Sequence, residues 1–271
     1  MLKDITLGQY FPGNSFIHKL DPRTKILAVI IYITVIFVIK SMLGYAVIGV
    51  FSVLCILSSK IPFRFVLKGL KPIMVFIVIT AVFNLFLTDG RVLARWGFLT
   101  ITYEGVRLAV FMVLRLFFLV LGTSILTLTT SPIALTDGIE YLLSPLKRIG
   151  VPAHELAMMM TIALRFVPTL LEETDKIIKA QTARGADFES GNLLRRAKAM
   201  IPILIPLFIS AFRRADDLAV AMECRLYRGG ENRTRLRELK MTKSDVFGWF
   251  ILLLLIGLIV FTNILYGRIH I

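Results

Sequence analysis

The stretch "VFGWFILLLLIGLIVFTNILY", residues 246–266, decides the fold class. Its 21 residues carry no charge, and about 20 predominantly apolar residues suffice for an α-helix to cross a bilayer. Around it the whole chain of 271 residues is 56% hydrophobic with 20 phenylalanines, and its mean hydropathy is +0.78. Soluble domains average roughly 45–50% apolar. The excess is clustered into runs, so an all-α integral membrane protein is expected.

Four further runs have the character of spans: residues 26–39, 42–59, 72–87 and 106–129. The first is short, but Lys25 and Lys40 at its ends can reach the interface along their apolar stems. A tight hairpin around Lys40-Ser41 is expected between the first two. The predicted organisation is therefore a four-span membrane part over 1–129, a long intervening segment over 130–243 and a last span within 244–271. No apolar segment precedes residue 26, so the first span is expected to direct insertion.

The net charge of +14 does not call for nucleic acid, because the basic residues follow the alternation of the spans. Lys3, Lys19, Arg23 and Lys25 precede the first run, Lys60, Arg64, Lys68 and Lys71 follow the second, and residues 130–244 carry 18 Lys+Arg against 13 Asp+Glu. The intervening loops hold only Lys40, then Arg91 and Arg95, and the tail holds Arg268. By the positive-inside bias this predicts a multi-pass protein of an inner or cytoplasmic membrane, N-terminus cytoplasmic and C-terminus outside. Arg107 and Arg115 fall within the fourth run. Arg107 can snorkel from near the outer end, whereas Arg115 lies deeper and should face protein or water, as an internal pair or as a contact for a partner or substrate.

Residues 130–243 are too apolar for a disordered linker. "TSPIALTDGIEYLLSPLKRIG" predicts a short helix capped by Ser131, with Pro132 in its first turn and Gly150 after its end. A long amphipathic helix follows, in which Pro168 is expected to kink rather than end the period. A third runs from about Leu193 to Arg225, and its proline-interrupted middle is too short to cross a bilayer. The second helix ends in "AQTARG" and the third in "AMECRLYRGG", 41 residues apart. Arg184 followed by Gly185 suits a helix C-terminus, through the dipole and the left-handed position after the cap. Arg225 suits it less, since Leu226 and Tyr227 follow and glycines come only at 229 and 230. Arginine's planar five-donor fork also suits carboxylates and carbonyls of another protein.

Asp21-Pro22 reads as a helix start, the aspartate capping and the proline in the first turn; the alternative puts Arg23 in contact with the cytoplasmic helices. The segments "HKLDPRTKIL", "ALRFVPTLLEETDKIIKAQTARG" (which includes Arg165 and Pro168) and "AMECR" resemble the transmembrane T component of energy-coupling factor (ECF) transporters over essentially the whole chain. The resemblance implies that the cytoplasmic helices are coupling helices. Two arginine-centred motifs at their ends would dock into two ABC-type ATPase subunits, while the membrane part holds a substrate-binding S component. The first motif transfers to Ala183-Arg184-Gly185. The second departs from Ala-Arg-Gly, reading Glu223-Cys224-Arg225.

No Walker A spacing is present, so ATP hydrolysis would come from partner subunits and the chain itself is not expected to be an enzyme. His154-Glu155 lacks a second histidine at position 158, and no metal site or cofactor is expected. The competing class is a self-sufficient secondary transporter, which should show repeated halves and ionisable groups near the midplane. A subunit of a dedicated cobalt- or nickel-type permease is a nearer variant.

Overall fold

The computed structural model describes residues 10–96, 99–188, 192–229 and 239–269. In chain order the elements are α1 (Phe16–Lys19), α2 (Pro22–Val38), α3 (Met42–Ser59), α4 (Phe63–Leu70), α5 (Met74–Leu87), β1 (Val92–Trp96), β2 (Leu99–Thr102), α6 (Tyr103–Thr129), α7 (Pro132–Leu143), α8 (Ala153–Ala183), α9 (Leu193–Cys224) and α10 (Lys243–Ile269). Two compact units result. Of the described residues, one comprises those within 10–139 and 239–269, the other those within 140–229.

Among the described residues, five helical stretches are long and apolar enough to cross a membrane: Met42–Ser59, Phe63–Leu87, Tyr103–Thr129, Ala153–Ala183 and Lys243–Gly267. The set differs from the apolar runs at two places. With 17 residues, α2 is about 26 Å long and falls short of the roughly 30 Å hydrocarbon core. In contrast, α8 qualifies by length and composition although it carries Arg165, Glu172, Glu173, Asp175, Lys176 and Lys179. The third run also starts earlier than residue 72. A 3-10 turn at Lys71–Ile73 joins α4 to α5, with Pro72 where its missing N–H costs little.

In the first unit, α6 packs against α2, α3, α4 and α5, and α10 closes against α2 and α3. Ile36, Ile48 and Ile259 are fully enclosed there, beside Tyr32, Tyr45, Phe118 and Leu255. Gly122 lets the Tyr32 ring lie directly on α6, since a Cβ at that position would overlap the ring. The Tyr32 hydroxyl pairs with Ser52 Oγ at 2.9 Å and donates to Phe118 O at 3.2 Å, so its polar tip is satisfied inside an apolar interior. The outside is the reverse of a soluble protein's. Only Ile77 of α5 is buried, while Val75, Phe76, Val78, Phe83 and Leu87 are exposed. Such a surface is stable only against lipid or protein.

The loop after α5 holds an antiparallel pair, β1 with β2, in register from Ala94↔Ile101 to Trp96↔Leu99, with a register shift between Val92 and Ala94. The apolar runs gave no sign of it. Thr102 ends this hairpin and starts α6. Its Oγ1 accepts from Gly105 N at 3.1 Å and donates to Thr88 O at 2.7 Å. Arg107 lies over the rings of Phe111 and Tyr266, at 5.7 and 5.6 Å. The internal ion pair expected for Arg115 is absent among the described residues. Its guanidinium lies 5.4 Å from the Phe37 ring instead, a cation–π contact, and its Nε makes no hydrogen bond.

The start of α2 follows the helix-start signal. Asp21 Oδ1 accepts from Arg23 N at 2.9 Å and Pro22 occupies the first turn. Less legible is what holds Asp21 itself. Its N–H donates to Asp245 Oδ1 at 2.7 Å, and the other oxygen of Asp245 accepts from Thr242 N and Oγ1 at 2.7 and 2.8 Å. Asp245 stands at the third position of α10 and reaches back to the N-cap, as in a capping box. The same carboxylate thereby also satisfies the N-cap residue of α2. It is 1% exposed. Arg23 donates Nη2–H to Leu239 O at 3.1 Å, in the segment that leads into α10.

Asp245→Ala leaves the N–H groups of Asp21 and Thr242 without this acceptor, at about 1–3 kcal/mol for each buried donor left unpaired. We expect a clearly lower unfolding midpoint for this variant in detergent micelles, and a smaller drop for Asp245→Asn, which keeps one acceptor oxygen. Equal midpoints for Asp245→Ala and wild type would show that the junction contributes nothing.

Candidate functional site

The second unit is built on α8 and α9. Arg214 Nη2 donates to Glu173 Oε2 at 2.9 Å, and Tyr227 OH donates to Met158 Sδ at 3.0 Å. The residue numbers of these two pairs run in opposite directions, so the helices are antiparallel. In that register Arg225 falls near the start of α8, while Arg184 ends it. About 23 residues of helix separate the two levels, on the order of 35 Å. The arginines therefore sit at opposite ends of the pair.

Both helix ends have the same backbone geometry. At the first, Arg184 is the cap at φ −85° and Gly185 follows at φ +86°. Gly185 N donates to Thr182 O at 2.9 Å and Ala186 N to Gln181 O at 3.0 Å. This double closure is a Schellman motif, which satisfies carbonyls that a helix end otherwise leaves open. At the second, Arg225 is the cap and Leu226 N donates to Glu223 O at 2.8 Å, Tyr227 N to Met222 O at 3.0 Å. The glycines at 229 and 230 are thus not needed, contrary to the sequence spacing. Leu226 takes the left-handed position at φ +55°.

A leucine is held there at a cost of about 1–2 kcal/mol, because its Cβ crowds the carbonyl. Its side chain recovers nothing visible, being 75% exposed. Ala183, Arg184 and Gly185 are exposed, as are Glu223, Cys224 and Arg225. A Cβ placed on Gly185 would meet nothing within 4 Å, so its glycine serves the φ angle and leaves the backbone open to approach. Among the described residues neither arginine has an ion pair or side-chain hydrogen bond.

Pro168 lies inside α8 and the helix continues through it to Ala183, as the period predicted. Arg165 and Pro168 are both exposed on α8. Along α9 the residues Ile201, Leu204, Ile205, Phe208, Ile209 and Phe212 are all exposed, and their spacing puts them on one stripe. Leu156, Met159 and Met160 of α8 are exposed as well. His154, by contrast, is bound locally, with Nδ1 at 2.9 Å from Glu140 Oε1. Sequence reasoning missed Leu226, since nothing in a leucine announces a left-handed residue. It also missed Asp245, whose Thr-x-x-Asp spacing from Thr242 was the available signal.

Comparison with known proteins gives consistent relatives. Residues 13–236 match the CbiQ family, described as cobalt transport protein. The energy-coupling factor transporter transmembrane protein EcfT of Clostridium kluyveri is 59% identical over 270 residues, covering 99% of this chain and 100% of that protein. Its namesake from Ruminiclostridium cellulolyticum is 61% identical over 246 residues, covering 91% and 92% respectively. The Bacillus subtilis EcfT is 45% identical over 262 residues, covering 96% and 99%.

The two caps share their backbone hydrogen-bond pattern but put different residues, Gly185 and Leu226, at the left-handed position, which makes them a matched pair. Leu226→Gly should stabilise the end of α9 by about 1 kcal/mol, and Gly185→Leu should loosen the end of α8 by a similar amount. Amide exchange at Tyr227 and Ala186, whose N–H groups close the motifs, reads each end separately. Slower exchange at Tyr227 in the first variant and faster exchange at Ala186 in the second are expected. Unchanged rates in both would contradict the left-handed assignment.

Proposed function

The chain belongs to the CbiQ family of transport proteins, and from that premise we propose that it is the coupling subunit of an ECF-type importer. It would link ATP hydrolysis by two ABC-type ATPase subunits to uptake of a vitamin or metal ion held by a separate, membrane-embedded S component. One observation carries this reading: two unpaired, exposed arginines cap antiparallel helices at opposite ends, on the order of 35 Å apart. A single groove cannot receive both, whereas two separate subunits can. Arg184 with Ala183 and Gly185 would enter one, and Arg225 with Glu223 and Cys224 the other. The exposed apolar stripe of α9 would be covered by the S component or by lipid.

The chain supplies no catalytic step in this scheme. Substrate choice rests with the S component, so the cobalt of the family description and a vitamin are equally compatible with these residues. Asp21, Pro22 and Arg23 would act indirectly, by holding the start of α2. The basic segments would face the cytoplasm, with the C-terminus outside. In a chain lacking Cys55 and Cys224, a cysteine added after residue 268 should react with an impermeant thiol reagent on intact cells. Labelling only after lysis would overturn that orientation.

Arg184→Lys distinguishes a peg from a plain cap. Lysine serves the helix dipole equally but loses the two-pronged geometry. We expect Arg184→Lys to reduce ATP-driven uptake, and Arg184→Ala to weaken its contact by about 2–5 kcal/mol, roughly 30- to several-thousand-fold in affinity. Either single variant can stay assembled through the remaining peg. The double variant Arg184→Ala, Arg225→Ala should lose the ATPases on purification while remaining folded in the membrane. Normal uptake by the double variant would exclude the docking role.

A further inference from the structure

In the first unit a cavity of about 550 Å³ lies between α1, α2, α3, α6 and α10. Small residues are part of its lining: Ala28, Ser52, Cys55, Gly122 and Gly248. Phe16 and Phe247 stand at its rim in edge-to-face contact, ring centroids 5.8 Å apart, and both are exposed. Leu54, another lining residue, is also exposed, so the cavity opens on the outer surface of the bundle. Thr24 and Lys25 line it near the N-terminal ends of α2 and α10.

Its lining is almost wholly apolar. Water needs two to four polar partners to occupy a cavity, and a void forfeits the dispersion contacts of its walls. The species of highest concentration at a membrane-facing opening is the lipid chain. The volume lies within the roughly 300–1,000 Å³ of sites that enclose small molecules.

The charge at the polar end selects the headgroup. Lys25 Nζ donates to His18 O at 3.2 Å and Thr129 O at 3.0 Å, which uses two of its three protons. Lys25 lines this end, and along the chain Lys19, Arg23 and Lys243 lie within four residues of lining positions, against Asp21, which stands 3.7 Å from Arg23 Nε, and Asp245, whose oxygens accept backbone N–H groups. The balance is cationic. We infer that the cavity seats one acyl chain of an anionic phospholipid, drawn from the leaflet that meets the N-terminal ends of α2 and α10. This site is independent of the ATPase-docking reading.

Trp249 lines the cavity and is one of two tryptophans, so Trp96→Phe isolates its fluorescence. The full-length chain is reconstituted in phosphatidylcholine vesicles containing phosphatidylglycerol, with bromine on the acyl chains of one lipid at a time. Brominated phosphatidylglycerol should half-quench Trp249 at a mole fraction about fivefold lower than brominated phosphatidylcholine, the scale set by one lysine near an anionic lipid. Ala28→Phe and Gly248→Leu, which fill the cavity from different helices, should abolish that preference while leaving the protein monodisperse and helical. Equal quenching by the two lipids, or a preference that survives filling in a folded variant, would overturn the site. Absence of quenching by either lipid would overturn it too, leaving a partner protein as the occupant.

Discussion

One buried carboxylate ties the two ends of the membrane unit together. Between helices in lipid there is no hydrophobic drive, because the surroundings are as apolar as the side chains, so association rests on close packing and polar ties. Asp245 supplies such a tie where α2 and α10 begin. A buried charge is costly unless its acceptors are filled. Here two backbone N–H groups and one hydroxyl fill them, and the positive ends of two helix dipoles lie alongside. The Tyr32–Ser52–Phe118 contact is a second tie further along, joining α2, α3 and α6. With both in place the 17-residue α2 is pinned along its length.

The elements that composition controls were legible in the sequence. The run at 42–59 is α3 residue for residue, and α6 and α10 begin only three residues before their apolar runs. Lys40-Ser41 is the turn, with Ser41 Oγ accepting from Gly44 N. What escaped is what long-range pairing controls. Asp245 and Asp21 are 224 residues apart, and no local pattern links them. The β1–β2 hairpin lies between two apolar helices whose signal dominates any window. For the arginines, the sequence placed both at helix ends but misjudged the second, because Leu226 takes a conformation that glycine usually marks.

The same two helices combine stiff ends with a weak middle. Each Schellman motif returns two hydrogen bonds to carbonyls of the last turn, so the termini bearing Arg184 and Arg225 do not fray. Pro202 and Pro206 are spaced one turn apart inside α9. Each removes an N–H donor, freeing the carbonyls of Lys198 and of Pro202 itself. Two missing bonds on successive turns lower the bending stiffness of α9 there more than at any other described point of that helix. The exposed stripe from Ile201 to Phe212 covers this same stretch. A load applied at Arg225 would therefore bend α9 beneath its apolar stripe before it disturbed the cap. Motion at a polar end would become a change in the presentation of an apolar face, with no bond of the terminal turn broken.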